Sequence, residues 1–507
     1  MRRALRTIVP VVLAAAGSLF SVGAAAANAS SAARISGHAR RSVAVRWTAC
    51  RGHAGFRCAW IPVPIDYAQP TLGTIKLAVV MLPATSRHPV GDLFINPGGP
   101  GASGVDFLEQ SGSDYPAALR AKFNLVSWDP RGIERSDPVL CVNANEMRAL
   151  TQITPQPATA AQVAQVVRAT KQFVADCEAH TSRLLLENVG TRATAEDLDR
   201  LRADLGQAKL DYLGFSYGTY LGEVYAQRYP THIRAMVLDG AVDPSLTTIA
   251  KDRQQALGFE VDLHAFFRWC DADKTCHQRL PDGAEVSYDK LMAKFATGWT
   301  ESAYFLPKFG GTQPVTLGVA LEGVISTLYS NLAWPDLGLA IDRGLHGSGD
   351  LLAELAYSYE GLQVNGTFTN EQEANVAINC LDSPVPMTLS SYETLAKQFA
   401  ALAPDFGASE AWGTLTCAYW PFAAQAKPGP IHAPGTPTIL VVGSTEDPAT
   451  PYGWAEAVAS QLDNAVLLTR AGTGHTGYFS SSCIRRYVDQ YLATLALPPA
   501  HTVCPSD

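Results

Sequence analysis

The stretch Gly-Phe-Ser-Tyr-Gly at 214–218 sets one serine between two glycines, after the apolar run "LDYLG" and before a helix-like run that stops at Pro230. Such a corner lifts a serine Oγ clear of a strand end, although Gly and Ser are also ordinary turn material. A serine hydroxyl is a weak nucleophile. It needs a base, a group to orient the base, and hydrogen-bond donors for the oxyanion that develops on the substrate. Asp447 follows the apolar run "TILVVG", and His475 follows "AVLLT" in a Gly-rich segment that gives a packing histidine little to pack on. Glu446 and Asp239, the latter at the end of "AMVLD", are alternative third members. Donors would come from the backbone N–H of Tyr217 and from the loop "INPGGPGASG", whose glycines let backbone approach a substrate closely. A phosphate-cradling role for that loop fails, because no Lys-Ser/Thr follows it.

These residues can meet only if several strands end at one edge. Short apolar runs that stop at turns recur at 92–101, 123–132, 210–218 and 233–244, as parallel strands covered on both faces would. Ahead of them, "AWIPVPIDYAQPTLGTIKLAVVMLPA" reads as an antiparallel hairpin. Helical stretches alternate with the strands. "TAEDLDRLRADLG" at 194–206 opens on Thr194 with Asp197 three residues on, a capping-box pattern, and ends at Gly206. Asp129 and Arg131 in "SWDPRG" read as a turn held by charge and hydrogen bonds. From about residue 245 to 430 strands fade and helical patterns dominate, before the β-α rhythm resumes at "PTILVVGSTEDP".

The predicted fold class is therefore α/β, a mostly parallel sheet with helices on both faces and a large helical cap inserted in mid-sheet. The expected organisation is a signal peptide at 1–29, an N-terminal arm or processing segment at 30–45, core at 46–245, cap at 246–430 and core again at 431–507. Arg2, Arg3 and Arg6, a long apolar run and Ala27-Asn28-Ala29 carry the signal reading. They predict an exported protein, with no membrane association once the signal is removed.

The 507 residues carry a formal net charge of -8, with 47% hydrophobic and 17% charged residues, which fits a folded globular chain. The absence of long basic runs argues against nucleic acid as partner, since phosphate binding needs clustered Lys and Arg. Ten cysteines in an exported chain predict disulfides. Nearest-neighbour pairing would join Cys50–Cys58, Cys141–Cys177, Cys270–Cys276, Cys380–Cys417 and Cys483–Cys504. Zinc-type ligand spacing is absent from the sequence.

Together, Gly-Gly-Pro-Gly at 98–101, Trp-Asp-Pro-Arg-Gly at 128–132, G-x-S-Y-G-T at 214–219, D-P-x-T-P at 447–451 and Gly-His-Thr at 474–476 resemble exported tripeptidyl aminopeptidases. These belong to the proline iminopeptidase clan of α/β-hydrolases and are characteristic of Streptomyces-like actinobacteria. The likeness implies Ser216 as nucleophile, His475 as base and then acid, and Asp447 as orienter. It implies the N–H groups of Tyr217 and Gly98 as oxyanion donors, with Gly99 the alternative, and no cofactor or metal. The loop departs from the clan in one respect: it reads Asn96-Pro97-Gly-Gly where proline iminopeptidases usually have His-Gly-Gly.

An aminopeptidase must also hold a free α-ammonium, which a cap carboxylate would do by charge-assisted hydrogen bonding. Asp382, beside Cys380, is the candidate, with Glu371 and Glu373 nearby. The expected function is release of short units, tripeptides first among them, from peptides with a free N-terminus. A single-residue proline iminopeptidase-like enzyme, an esterase on the same residues and a non-catalytic binding protein are the alternatives.

Overall fold

A computed structural model of the protein describes residues 45–297, 301–305 and 311–506. The expected signal peptide and nearly all of the arm lie outside the described residues. Twelve strands are described: β1 Thr48–Ala49, β2 Arg57–Pro64, β3 Thr74–Leu82, β4 Gly91–Asn96, β5 Phe123–Trp128, β6 Leu210–Phe215, β7 Ile233–Asp239, β8 Glu301–Phe305, β9 Gly311–Val315, β10 Ile439–Glu446, β11 Ala465–Thr473 and β12 Val503–Cys504. Ten form one sheet in the order β1-β2-β3-β5-β4-β6-β7-β10-β11-β12. The first strands pair antiparallel, with β2 and β3 in register from Arg57↔Met81 to Pro64↔Thr74. From β5 across to β12 the pairing is parallel.

The parallel strands are mainly apolar because both their faces are covered, with polar exceptions such as Asp211 in β6. All six residues of β6 are buried, as are the first six of β10. Side chains on one face pack with helices that include Leu198, Leu201 and Leu221, and those on the other with Leu108, Val488 and Leu492.

Between β7 and β10 the chain is mainly helical, from Thr248 to Ala418, around a core of its own that includes Phe266, Tyr288 and Leu337. Helices dominate there as the sequence pattern predicts, and β8 and β9 add one antiparallel hairpin. Five disulfides join Cys50–Cys58, Cys141–Cys177, Cys270–Cys276, Cys380–Cys417 and Cys483–Cys504. No helix among the described residues is long and apolar enough to cross a membrane.

The capping-box reading at Thr194 is wrong. The helix runs from Thr191 to Asp204 behind Gly190, and Thr194 lies inside it. Asp197 is instead the buried partner of Arg131. The guanidinium donates from Nε and a terminal nitrogen to the two Asp197 oxygens, each at 2.7 Å, and also to the carbonyls of Pro64, Ile65 and Asn188. The Tyr67 hydroxyl adds a third donor to Asp197 at 2.8 Å. Both side chains are fully buried, so each charge depends on the other for its solvation.

Removing one partner of such a pair typically costs about 3–5 kcal/mol. Arg131→Met is accordingly expected to lower the urea midpoint of unfolding by that much stability, more than Arg183→Met at an exposed ion pair.

Candidate active site

Ser216 follows β6 and begins the helix Tyr217–Arg228 with φ 54° and ψ -125°, a conformation that L-residues rarely adopt. Its flanking glycines are required for space. A Cβ on Gly214 would lie 2.4 Å from the Gly218 carbonyl oxygen, and one on Gly218 would lie 2.7 Å from Asn96 Oδ1. The serine is thus forced outward at the end of a central strand.

Asp447 and His475 come from the ends of β10 and β11, the next strands but one and two across the sheet. His475 Nδ1 lies 2.9 and 3.0 Å from the two Asp447 oxygens. Asp447 is buried and also accepts from the N–H groups of Ala449, Thr450 and Thr476 at 2.8–3.1 Å and from the Thr450 hydroxyl at 3.1 Å. His475 Nε2 is buried without a hydrogen-bond partner among the described residues, and the ring shares a cavity with Ser216.

The rival acids go elsewhere. Asp239 accepts from the N–H groups of Gly477 and Tyr478, each at 2.8 Å, and so holds the loop that carries His475. Glu446 is exposed at the end of β10. Thr450 sits in the Asp-Pro-x-Thr-Pro segment, which was noticed in the sequence without a role for the threonine. Its hydroxyl bridges Asp447 and His475 Nδ1, at 3.1 and 3.3 Å.

The loop after β4 lies directly against the serine: a Cβ on Gly98 would meet Ser216 Cβ at 2.9 Å and Tyr217 N at 3.1 Å. Gly98 N–H, however, donates to Asn96 Oδ1 at 3.1 Å. Its donor is already used, and Gly99 is the glycine that lines the cavities at Ser216. Asn96, buried, is the side chain that braces this loop through Gly98 N–H. Asp129 braces its far end, accepting from Ser103 Oγ at 2.5 Å, Val105 N–H at 3.1 Å and Arg135 at 3.1 Å. Its structural reading agrees with these contacts.

Ser216 stands where two cavities meet. One, of about 370 Å³, runs under the cap and is lined by Asp252, Glu322, Asp382 and Glu410, together with Lys251. The other, of about 490 Å³, is lined by His475 and by Phe107, Phe215 and Phe479. Asp382 reaches the first cavity, but its oxygens accept from Thr191 N–H at 2.9 Å and Thr191 Oγ1 at 2.5 Å. Glu373 is similarly occupied by the N–H groups of Cys141 and Val142, and Glu371 lines the second cavity.

Glu322 and Glu410 accept no hydrogen bond from a described residue, and Asp252 Oδ2 is buried without a partner. Burial first, and then mutual repulsion, pushes Glu410 up to about 7 beside Glu322, and raises Asp252 well above its usual range beside Glu410. Burial likewise raises Glu322 to about 7. Sequence spacing could not have found this group, whose members are 70 and 88 residues apart along the chain (252 to 322, 322 to 410).

A serine on a strained strand-to-helix turn, sharing a cavity with a histidine held by a buried carboxylate at the ends of a parallel sheet, defines a serine hydrolase of the α/β-hydrolase fold. Comparison with known proteins makes this specific. Residues 93–279 match the α/β hydrolase fold model, and residues 403–504 match that of the TAP-like proteins. The chain is 34% identical over 477 residues to serine protease Hip1 of Mycobacterium tuberculosis, covering 91% of each chain. It is 32% identical over 479 residues to carboxylesterase B of the same species, with 90% of this chain and 89% of that one covered. It is 30% identical over 447 residues to the tripeptidyl aminopeptidase of Streptomyces coelicolor, covering 86% and 81%. The chain belongs to the TAP-like family of α/β-hydrolases.

Burial opposes protonation of His475, but the charge and hydrogen bond of Asp447 outweigh it, and the ring titrates above the usual histidine value. A histidine acting as base must be neutral, so kcat/KM should fall as pH drops through that raised value. Asp447→Asn is expected to shift the acid limb of the profile to lower pH and to reduce kcat by roughly 10⁴-fold, as loss of the tautomer-fixing acid does elsewhere. Profiles of kcat/KM against pH for both proteins check this.

Proposed function

We propose that this protein is an exported serine peptidase that releases short units, tripeptides foremost, from peptides with a free N-terminus. Ser216 Oγ attacks the scissile carbonyl while His475 Nε2 takes its proton and Asp447 holds the ring by Nδ1. The N–H groups of Tyr217 and Gly99 receive the oxyanion. His475 then protonates the leaving amine, and water activated by the same ring releases the acyl group from Ser216.

The carboxylate-lined cavity carries the reading. The leaving amine must lie beside His475, so the acyl part of the substrate extends the other way, under the cap, towards Asp252, Glu322 and Glu410. Three carboxylates crowded with little hydrogen bonding repel one another. A cationic α-ammonium relieves that repulsion, whereas a blocked N-terminus leaves it in place. Asp382, already bonded to Thr191, is a wall of this cavity and a secondary partner at most. The tripeptide unit is supported by the Streptomyces relative, and export by the five disulfides and the basic-then-apolar start of the chain.

An esterase is the second reading, favoured by the identity to carboxylesterase B and by the shared chemistry of ester and amide cleavage. An unblocked tripeptide amide of a chromogenic amine, its N-acetylated form and the matching mono- and dipeptide amides separate the readings. Cleavage of the free tripeptide alone, lost in Ser216→Ala, is the expected outcome. Equal cleavage of the acetylated form would leave the esterase, and preference for the single-residue amide would leave a proline iminopeptidase-like enzyme.

Replacing the amine-holding group should act on binding. Glu322→Gln and Glu410→Gln are each expected to raise KM for the free tripeptide amide tenfold or more while narrowing the gap to its acetylated form. Because both carboxylates sit at about 7, KM for the free substrate should also rise as pH falls below that value and protonation removes their charge. Steady-state kinetics from pH 5 to 8 read both effects.

A further inference from the structure

The cavity on the His475 side has a wall that the reaction itself does not use. Phe479 lies four residues after His475 and is 37% exposed. It is the outermost member of an aromatic shelf. Its ring centroid is 5.6 Å from that of Phe215, 6.2 Å from Phe107 and 5.3 Å from Tyr115, and the three rings behind it are more buried. Phe107, Phe215 and Phe479 all line the cavity of about 490 Å³ that contains Ser216 and His475. None of them lines the carboxylate-rich cavity on the other side of the serine. Glu371, Gln372 and Asn375 of the helix Glu371–Asp382 line the same cavity.

We infer that this shelf is the binding site for the residue immediately after the cut, and that it selects a large apolar or aromatic side chain there. The assignment rests on the proposed reaction in one respect, the direction in which the substrate lies. The group that leaves must be within reach of the histidine that protonates it, and the shelf belongs to the histidine's cavity. An apolar side chain laid on Phe479 buries surface on both partners, and an aromatic one adds edge or offset-stacked contacts. An acidic side chain at the same point would share the cavity with Glu371 and be disfavoured.

The test uses the mature protein and a peptide series Ala-Ala-Ala-X-Gly, with X as Phe, Leu, Gly or Asp, and product release followed by chromatography. For the unchanged protein, kcat/KM is expected to be at least tenfold higher for X as Phe or Leu than for Gly, and lowest for Asp. In Phe479→Ser, a change at an exposed ring, the Phe-to-Gly ratio should collapse to within about threefold, carried mainly by KM. Phe479→Tyr should restore it. No preference among X in the unchanged protein would overturn the assignment. So would a uniform loss across all X in Phe479→Ser, which is what a purely packing role predicts, or a change in preference for the residue before the cut.

The same series on N-acetylated peptides keeps the two proposals apart. If acetylated peptides are cut with the same order of X, the shelf stands and the free-amine reading falls. If only free peptides are cut but X makes no difference, the reverse holds.

Discussion

The backbone at Ser216 is the constraint on which the site depends. A residue other than glycine held at φ 54° stores strain of about 1–3 kcal/mol, tolerated only where the surroundings over-determine it. Here they do. Phe215 is fixed in β6, the helix from Tyr217 begins at once, and the two flanking glycines leave no volume that could be filled by relaxing the turn. Ser216 N–H also donates to the Asp239 carbonyl at 2.9 Å, which ties the corner to β7. The Asp239 carboxylate, in turn, grips the loop of His475. Ser216 and the loop of His475 are thus tied together through Asp239.

The sheet is held in shape for this purpose by charges that never reach solvent. The Arg131–Asp197 pair links the end of the antiparallel hairpin, the turn after β5 and the helix Thr191–Asp204. Asp129, two residues before Arg131, reaches the opposite way to brace the loop after β4. The Trp-Asp-Pro-Arg-Gly segment is thus a junction between scaffold and site, which explains why both of its charged residues are fully buried. Buried charges of this kind fix geometry more than they add stability, because much of their attraction only offsets lost hydration.

The cap works through an opposite logic. Its carboxylates around Glu322 and Glu410 are gathered where solvation is poor and counter-charge is scarce, and the resulting repulsion is available to a cationic ligand. The neighbouring cavity is apolar on the histidine side. Across a single serine the lining changes from carboxylate-rich to aromatic. The helix Glu371–Asp382 walls both cavities and is clamped by Cys380–Cys417 and by Asn375 donating to the Pro100 carbonyl at 3.0 Å. Cap and oxyanion loop are therefore in direct contact.

By itself the sequence determined what is local. Short, mainly apolar runs stopped by turn residues announce buried parallel strands, and the order Ser216, Asp447, His475 at three such ends points to the chemistry. The cysteines pair with near neighbours, so their spacing was informative too. Tertiary structure alone decided what depends on distant residues meeting. Asp197 looks like half of a capping box until Arg131, 66 residues away, is seen to need it. Gly98 and Gly99 are alike in sequence, and only the position of Asn96 Oδ1 tells which N–H is spent. Asp382 is the cap carboxylate visible in the sequence, yet it is bonded to Thr191, and the same cavity gathers Asp252, Glu322 and Glu410 from separate helices. Hydrogen-bond satisfaction and desolvation are properties of an assembled environment, and no spacing along one chain encodes them.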